Sequence, residues 1–331
     1  MSSVLTIILN WRTPEMTLRS AAEAVAAMID IKGAITIVDN DSGDGSEEII
    51  RAAVIERGWD RVRVIQSGHN GGFGAGNNVG IRAGLPDGGR PDFVYLLNSD
   101  AFPEPDAIRQ LRDQLSADPR RGIVGSSCHD ESGRPLVSGF RFPSIGSELE
   151  DSARTGPITR LLRRYVVPQP IPTVPTLMDW VTGASLMMRQ DMLDQIGLFD
   201  EGYFLYYEET DLCLRAVRKG WHVLNVPQSR ITHIGSVSTE MNEWARTPAY
   251  WFDSRWRYFR KNHGLGYALA ATAAQVTGLS VNRLRAAIGS SPRKGSRRFM
   301  RDLLAHDLRA MFKGIDPEPT HPATPENPRT T

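Results

Sequence analysis

Over the first hundred residues, short runs of β-branched apolar residues alternate with stretches in which apolar residues recur every three or four positions. Val4–Leu9 is such a run and predicts a buried strand. Thr13-Pro14 then predicts a helix start, with Thr as N-cap and Pro at the first helical position, followed by Leu18, Ala22, Val25 and Ile29 at helical spacing. The alternation continues with a strand over Ala34–Val38, a helix around Glu47–Arg57 and a strand over Val62–Gln66. A glycine-rich loop leading to a helix that ends near Ala83 and a strand over Phe93–Leu97 come next. Pro105 opens a helix whose Ile108, Leu111 and Leu115 share a face, and Gly122–Ser126 predicts another strand. Strands separated by helices at short intervals predict an α/β fold with a mostly parallel central sheet and helices on both faces. In such sheets ligands bind outside the carboxyl ends of the strands.

The pattern breaks at Gly139–Thr176. This stretch is rich in Pro and Arg, has one short amphipathic piece at Ile158–Val166, and reads as a long loop. Regular structure is expected again from Trp180 to Arg189. The Pro-rich end, Gly314–Thr331, reads as disordered.

Charge changes the picture more than composition does. The 331 residues carry a net charge of only +1, which argues against a general nucleic-acid binder. Between Ser254 and Lys313, however, thirteen Lys or Arg face two acidic residues, a local balance of +11, so the rest of the chain sums to −10. This basic segment contains Leu265–Leu279, an apolar and small-residue stretch too short to span a bilayer. It reads either as a helical packing element or as an amphipathic helix lying on an anionic membrane surface. No signal peptide is recognised in Val4–Leu9, and two cysteines, Cys128 and Cys213, make no disulfide framework. A reducing, cytoplasmic setting is expected.

The candidate chemistry sits at the predicted strand ends. Asp39-Asn40 closes the second strand, where simple turn chemistry competes with a contact from Asp39 to a ligand's base edge. The third strand leads into "GHNGGFGAGNNVG" (68–80), whose spacing fits neither a dinucleotide fingerprint nor a Walker A loop. Its glycines imply close backbone approach or positive φ. "LLNSD" ends the fourth strand, and alternate side chains of an extended chain share a face, so Asn98 and Asp100 can converge on one hard cation. His233 follows a later strand and is a second candidate ligand. "GYFLYYEETDLCLRAVRKG" (202–220) places Glu208, Glu209 and Asp211 in a first helical turn. Acidic residues there also complement the helix dipole, and Asp211 is placed to pair with Arg215 one turn on.

Taken in order, Asp39-Asn40, "NGGFGAGNN" (70–78), "LLNSD" (96–100), "WVTGASLMMR" (180–189), "IGLFDEGYFLYYEETDLCLR" (196–215) and "THIGSVS" (232–238) resemble the family 2 glycosyltransferases. The bacterial rhamnosyltransferase-like group is the most similar. The resemblance covers about two-thirds of the chain, from Val4 to Ser238. It implies a GT-A fold over residues 1–253, followed by a basic helical extension over 254–313 and the tail 314–331. It implies inverting transfer from a dTDP- or UDP-linked sugar, with rhamnose the first candidate, assisted by Mg²⁺ or Mn²⁺. The acceptor would be a saccharide or lipid-linked saccharide in cell-surface polysaccharide synthesis, met at the inner face of the cytoplasmic membrane.

The same resemblance assigns roles. Asn10, Asp39, Asn40, Gly72, Phe73, Asn77, Asn98 and Ser99 would bind the nucleotide, with Asp39 on the base. Asp100 and His233 would hold the metal. Glu209 would be the catalytic base, with Glu208 beside it as the alternative or a support, and Trp180, Gly183, Ala184 and Tyr207 would meet the acceptor. Phe204 and Tyr206 are further candidates for that pocket. Two departures stand out: Asn98 replaces the first Asp of the family's metal motif, and Glu209 the commoner Asp of its base. The rival readings are a sugar nucleotidyltransferase and a non-catalytic nucleotide- or carbohydrate-binding module on a degenerate fold. The first lacks its Gly-rich loop after strand one, where this chain reads "ILNWRTP"; Glu209, Asp100 and His233 weigh against the second.

Overall fold

The structure, a computed structural model, describes residues 2–235, 246–289 and 298–313. The tail 314–331 and Ser236–Ser238 of the "THIGSVS" motif lie outside the described residues. The chain runs β1 (Val4–Asn10), α1 (Pro14–Ala27), β2 (Gly33–Asp39), α2 (Ser46–Glu56), β3 (Val62–Gln66), α3 (Gly72–Ala83), β4 (Phe93–Asn98) and β5 (Ala101–Pro103). It continues through α4 (Ala107–Ala117), β6 (Arg121–His129), β7 (Gly139–Phe140), α5 (Ile145–Ala153), α6 (Gly156–Leu161), β8 (Thr176–Leu177), β9 (Trp180–Val181) and β10 (Ser185–Arg189). Last come α7 (Gln190–Ile196), α8 (Glu208–Arg218), β11 (His222–His233), α9 (Ala249–His263), α10 (Leu265–Ala287) and α11 (Phe299–Phe312).

Among the described residues one nine-stranded sheet has the order β3-β2-β1-β4-β10-β6-β11-β5, with β8 paired to β11, and β7 and β9 form a separate ribbon. Strands β1 to β4 are parallel, and β10 runs antiparallel between β4 and β6. Register places Asn10 opposite Asp39 and Leu9 opposite Asn98, so three carboxyl ends align. β11 meets β5 antiparallel with His233 opposite Ala101, one residue from Asp100. Both sheet faces are buried. Ile8, Ile35, Ile37, Leu111 and Leu115 share one core with α1, α2 and α4; Leu5, Ile7, Val38, Ile81 and Leu212 share the other with α3, α7 and α8.

Three expectations from the pattern are corrected. The buried face of α1 is Thr17, Leu18, Ser20, Ala21, Ala24 and Ala27, whereas Ile29 lies past the helix and is 74% exposed. Small residues set this face because the helix lies close on the sheet. The glycine-rich segment is not a loop from Gly72 onward but the helix α3 itself. A side chain at Gly80 would meet Ile7 at 2.8 Å, so the glycines let α3 lie tight on β1. Gly139–Thr176 is not a plain loop: it holds β7, α5, α6 and a 3₁₀ turn at Arg163–Tyr165. Helix α5 buries Ser147, Glu148, Ser152 and Ala153, which carry no hydrophobic period to find.

Helix α10 packs on α5, α9 and α11 and buries Ala268, Ala271, Thr272, Gln275 and Gly278, the last lying directly against Leu149 and Ser152 of α5. Leu265–Leu279 is thus a packing element on that side, and no helix of the described residues is long and apolar enough to cross a membrane. The expected division after residue 253 falls inside α9, whose Trp256, Tyr258 and Phe259 share a core with Tyr203 and Leu214.

Part of the basic segment is spent on internal carboxylates. Arg255 is fully buried between Glu148 (2.8 Å) and Asp307 (3.2 Å). His306 bridges Asp253 and Asp307 with both ring nitrogens at 2.8 Å. Burial works against the imidazolium, but the two carboxylates prevail and hold its pKa up at about 9 against an ordinary 6.5. The contribution of this bridge to stability is therefore full below pH 6.5 and is lost as pH rises through about 9. Urea unfolding from neutral to alkaline pH is expected to show this loss, and His306→Gln is expected to flatten it.

Candidate active site

The aligned ends of β1 and β2 build a polar floor. Asp39 is 1% exposed. Its Oδ1 accepts from Asn10 Nδ2 (2.6 Å) and Ser42 Oγ (2.6 Å), its Oδ2 from Ser42 N (3.0 Å) and Gln66 Nε2 (3.0 Å). Thr17 Oγ1 orients the Asn10 amide at 2.7 Å. Four donors saturate a carboxylate, and Gln66 is the only exposed side chain among them. Asn40 donates to Asn70 Oδ1 (2.9 Å) and the Gly72 carbonyl (3.2 Å), which ties the floor to the start of α3.

That start is fixed by one glycine. Gly72 has φ +89°, and a Cβ there would lie 1.8 Å from the Phe204 carbonyl oxygen. The same carbonyl accepts the Phe73 N–H at 2.9 Å, so α3 begins in direct backbone contact with the segment that leads into α8. Asn78 adds a second staple: it donates to the Phe199 carbonyl and Glu201 and accepts the Phe199 N–H. Sequence reasoning passed over Asn78; the doubled Asn77-Asn78 was the signal. Asn77 itself donates back to the Phe73 carbonyl within α3 and is 1% exposed.

The end of β4 carries Asn98, Ser99 and Asp100. The Asn98 N–H donates to the Ala184 carbonyl at 2.9 Å, which sets the Gly183-Ala184 turn beside it. Thr13 Oγ1 reaches Ser99 Oγ at 3.5 Å rather than capping α1 as expected. Asp100 Oδ1 stands 3.3 Å from His233 Nε2, and that nitrogen is buried without a hydrogen bond. A carboxylate and an imidazole nitrogen this close, the nitrogen without a hydrogen bond, suit a divalent cation whose other ligands are phosphate oxygens and water. Among the described residues no third His, Cys, Asp or Glu joins them, so the ligand must complete such a site.

Helix α8 delivers the acid turn. A side chain at Gly183 would meet the Phe73 ring at 3.2 Å and Glu209 Oε1 at 3.8 Å, so Glu209, Phe73 and the turn before β10 are neighbours. Glu209 Oε2 is buried and makes no hydrogen bond. Burial pushes the Glu209 carboxyl above the ordinary carboxylate value, although N–H groups at the start of α8 and at Gly183 draw it back. Asp211 keeps the bland role expected of it. It pairs with Arg215 at 2.8 Å and also accepts from Lys261, Asn262 and Tyr203.

The cations of α9 hold this turn from outside. Arg257 takes both oxygens of the fully buried Asp200, and Lys261 bridges Asp200 (2.8 Å) and Asp211 (3.0 Å). Ser254 Oγ donates to the Leu205 carbonyl. No local signal announces these contacts, which join residues about fifty positions apart.

The expected acceptor residues are not all brought together. Trp180 stacks on Phe140 at 4.2 Å and donates to the Arg141 carbonyl, so it belongs to the β7–β9 ribbon. Tyr207 turns its ring toward Tyr258 (5.4 Å) and Trp251 (6.4 Å) of α9. Phe204, 41% exposed, stands instead at the surface beside Tyr250. Tyr206 and Tyr207 both have φ near +70° (+71° and +70°), a conformation few side chains adopt, held here by α9 on one side and α3 on the other.

Comparison with known proteins extends over most of this architecture. The profile of Glycosyl transferase family 2 matches residues 3–157, and that of Glycosyl transferase family group 2 matches residues 93–279, more than half of the chain. The N-acetylglucosaminyl-diphospho-decaprenol L-rhamnosyltransferase of Mycobacterium tuberculosis is 28% identical over 253 residues, 72% of this chain and 78% of that one. The low-salt glycan biosynthesis hexosyltransferase Agl10 of Haloferax volcanii is 26% identical over 267 residues, 77% of this chain and 74% of that one. Among solved structures, the mannosyltransferase PcManGT from Pyrobaculum calidifontis, in complex with GDP-Man and Mn²⁺, superposes with a TM-score of 0.56 at 14% identity, covering 93% of this chain and 80% of that one. At that identity the likeness speaks for the fold.

Proposed function

The chain belongs to glycosyl transferase family 2 and has the GT-A fold, and from that premise we propose that it is an inverting, metal-dependent transferase acting on a lipid-linked saccharide. Its donor is a dTDP- or UDP-linked sugar, rhamnose first among candidates, and its product is a cell-surface glycan precursor assembled at the inner face of the cytoplasmic membrane. The similar rhamnosyltransferase named for a decaprenol-diphosphate acceptor supports the acceptor class. The observation that carries the reading is that the β4 end bearing the Asp100–His233 pair is bonded, through the Asn98 N–H and the Ala184 carbonyl, to the Gly183-Ala184 turn beside the buried Glu209 carboxyl.

Inverting transfer is one in-line displacement at the anomeric carbon. A carboxylate must take the acceptor hydroxyl's proton as the bond forms. Glu209 has the free oxygen for this, and the Gly183 N–H orients the other end of the carboxyl. In this reading Asp39, held by Asn10, meets the nucleotide base, whose N–H takes the place of the exposed Gln66 on it. Asp100 and His233, with the Asn98 amide, would hold Mg²⁺ or Mn²⁺. When bound, such an ion offsets the charge of the leaving diphosphate.

A thermal-shift panel of UDP, dTDP, GDP and CMP with and without Mn²⁺ tests this. A ligand of the folded state adds about 2.7 kcal/mol at 100 times its dissociation constant. Stabilisation by dTDP or UDP that requires Mn²⁺ is expected, and Asp100→Ala is expected to abolish the metal-dependent part. No shift with any nucleotide would overturn the proposal and return the degenerate-fold reading, with Asn98 as its cause.

A further inference from the structure

Glu208 and Glu209 open the same helix but have different surroundings. Glu208 is 3% exposed, lies beside Gly74 of α3, and its Oε2 is buried with no hydrogen bond. Its one backbone donor is its own N–H. Glu209 accepts from its own N–H and from those of Thr210 and Gly183. No cation among the described residues pairs with either carboxyl; Arg215 of α8 and Lys261 of α9 are held by Asp211. The titratable groups that bear on the pair are each other and the buried Cys213 thiol one turn on. The first turn of α3, Gly72 to Ala75, and the Trp180–Ala184 segment carry no titratable side chain.

Two adjacent carboxyls in an enclosed site without a cation do not both ionise. The negative charge settles where N–H donors favour it, and paired groups in unequal environments divide into an acid and a base. Resting on Glu209 as the base, we propose that Glu208 is the proton-bearing member of a divided pair, a positioning residue whose neutral carboxyl leaves the single negative charge on Glu209. Burial first, and then the neighbouring Glu209, push the Glu208 carboxyl well above the ordinary value of 4.5, which agrees with this division.

The division is measurable without substrate. A carboxyl held neutral in the folded protein and free to ionise when unfolded makes stability fall as pH rises above its ordinary value, until its folded pKa is passed. Wild-type protein is therefore expected to lose urea stability as pH rises above the ordinary value of 4.5, and Glu208→Gln to lower that slope by about one proton. Glu209→Gln should keep most of it. At neutral pH the infrared carbonyl stretch of a protonated carboxyl should be lost in Glu208→Gln, and so appear in the wild-type-minus-Glu208→Gln difference spectrum, and should survive in Glu209→Gln. If Glu208→Gln fails to fold, Glu208→Met, similar in volume and without a proton to hold, serves in its place. An unchanged slope in the Glu208 variant, or loss of the band in Glu209→Gln alone, would overturn the proposal. Absence of any Mn²⁺-dependent nucleotide shift in wild-type protein would strike the glycosyl-transfer reading instead, and the two failures are separable.

Discussion

Glu209→Gln is expected to lower the turnover of sugar transfer by about 10²–10⁴-fold, the usual loss for a general base, while nucleotide binding stays at the wild-type level. The amide has nearly the same shape, can still accept the Gly183 N–H and keeps its place beside Phe73. It cannot take a proton. Because burial raises the Glu209 carboxyl above 4.5, wild-type turnover should fall on the acid side at a pH above that value, as the base becomes protonated. The measurement is nucleoside diphosphate released from the donor in the presence of a lipid-linked saccharide, with dTDP and UDP affinities taken in parallel. Turnover close to wild type would remove Glu209 from its role and pass it to Glu208. Equal loss of turnover and of nucleotide affinity would point to a collapsed α8 rather than a missing base.

The strand-and-helix alternation was legible because the inner parallel strands are buried on both faces and write near-continuous apolar runs, as in Phe93–Leu97. The site was legible where chemistry and strand end coincide: Asp39, Asn98 and Asp100 lie where the pattern stops. What stayed hidden has a common cause. Helices that pack through small or polar residues leave no hydrophobic period. Thus α5 read as loop, α3 read as a glycine loop before its helix, and the face of α1 was set on Ile29 rather than Ala21. The clamp of Arg257 and Lys261 on Asp200 and Asp211 was hidden for another reason, since partners fifty or more residues apart share no local spacing. Side-chain direction was the least legible. Tyr207 sits next to Glu208 in sequence, yet its positive φ turns the ring onto α9.

The basic segment gives the second large expectation. Arg255→Met is expected to destabilise the protein by about 3–5 kcal/mol, because it leaves Glu148 and Asp307 buried without their cation. Glu148 is on α5, Asp307 on α11, and Thr272, which also donates to Asp307, on α10, so one guanidinium joins four helices. Replacing all three charges together, with Glu148→Gln and Asp307→Asn added to Arg255→Met, is expected to return much of the loss, since a buried pair costs desolvation that its removal recovers. The same measurement decides how the +11 of residues 254–313 is used. Were that charge reserved for an anionic surface, Arg255→Met would weaken liposome binding and leave the urea midpoint in place. A lowered midpoint with liposome binding unchanged assigns Arg255 to the fold, as its full burial requires. Helix α9 then belongs to the same folding unit as α8, because the helix that seats Arg255 also presents Arg257 to Asp200 and Lys261 to Asp211 in the turn bearing Glu209.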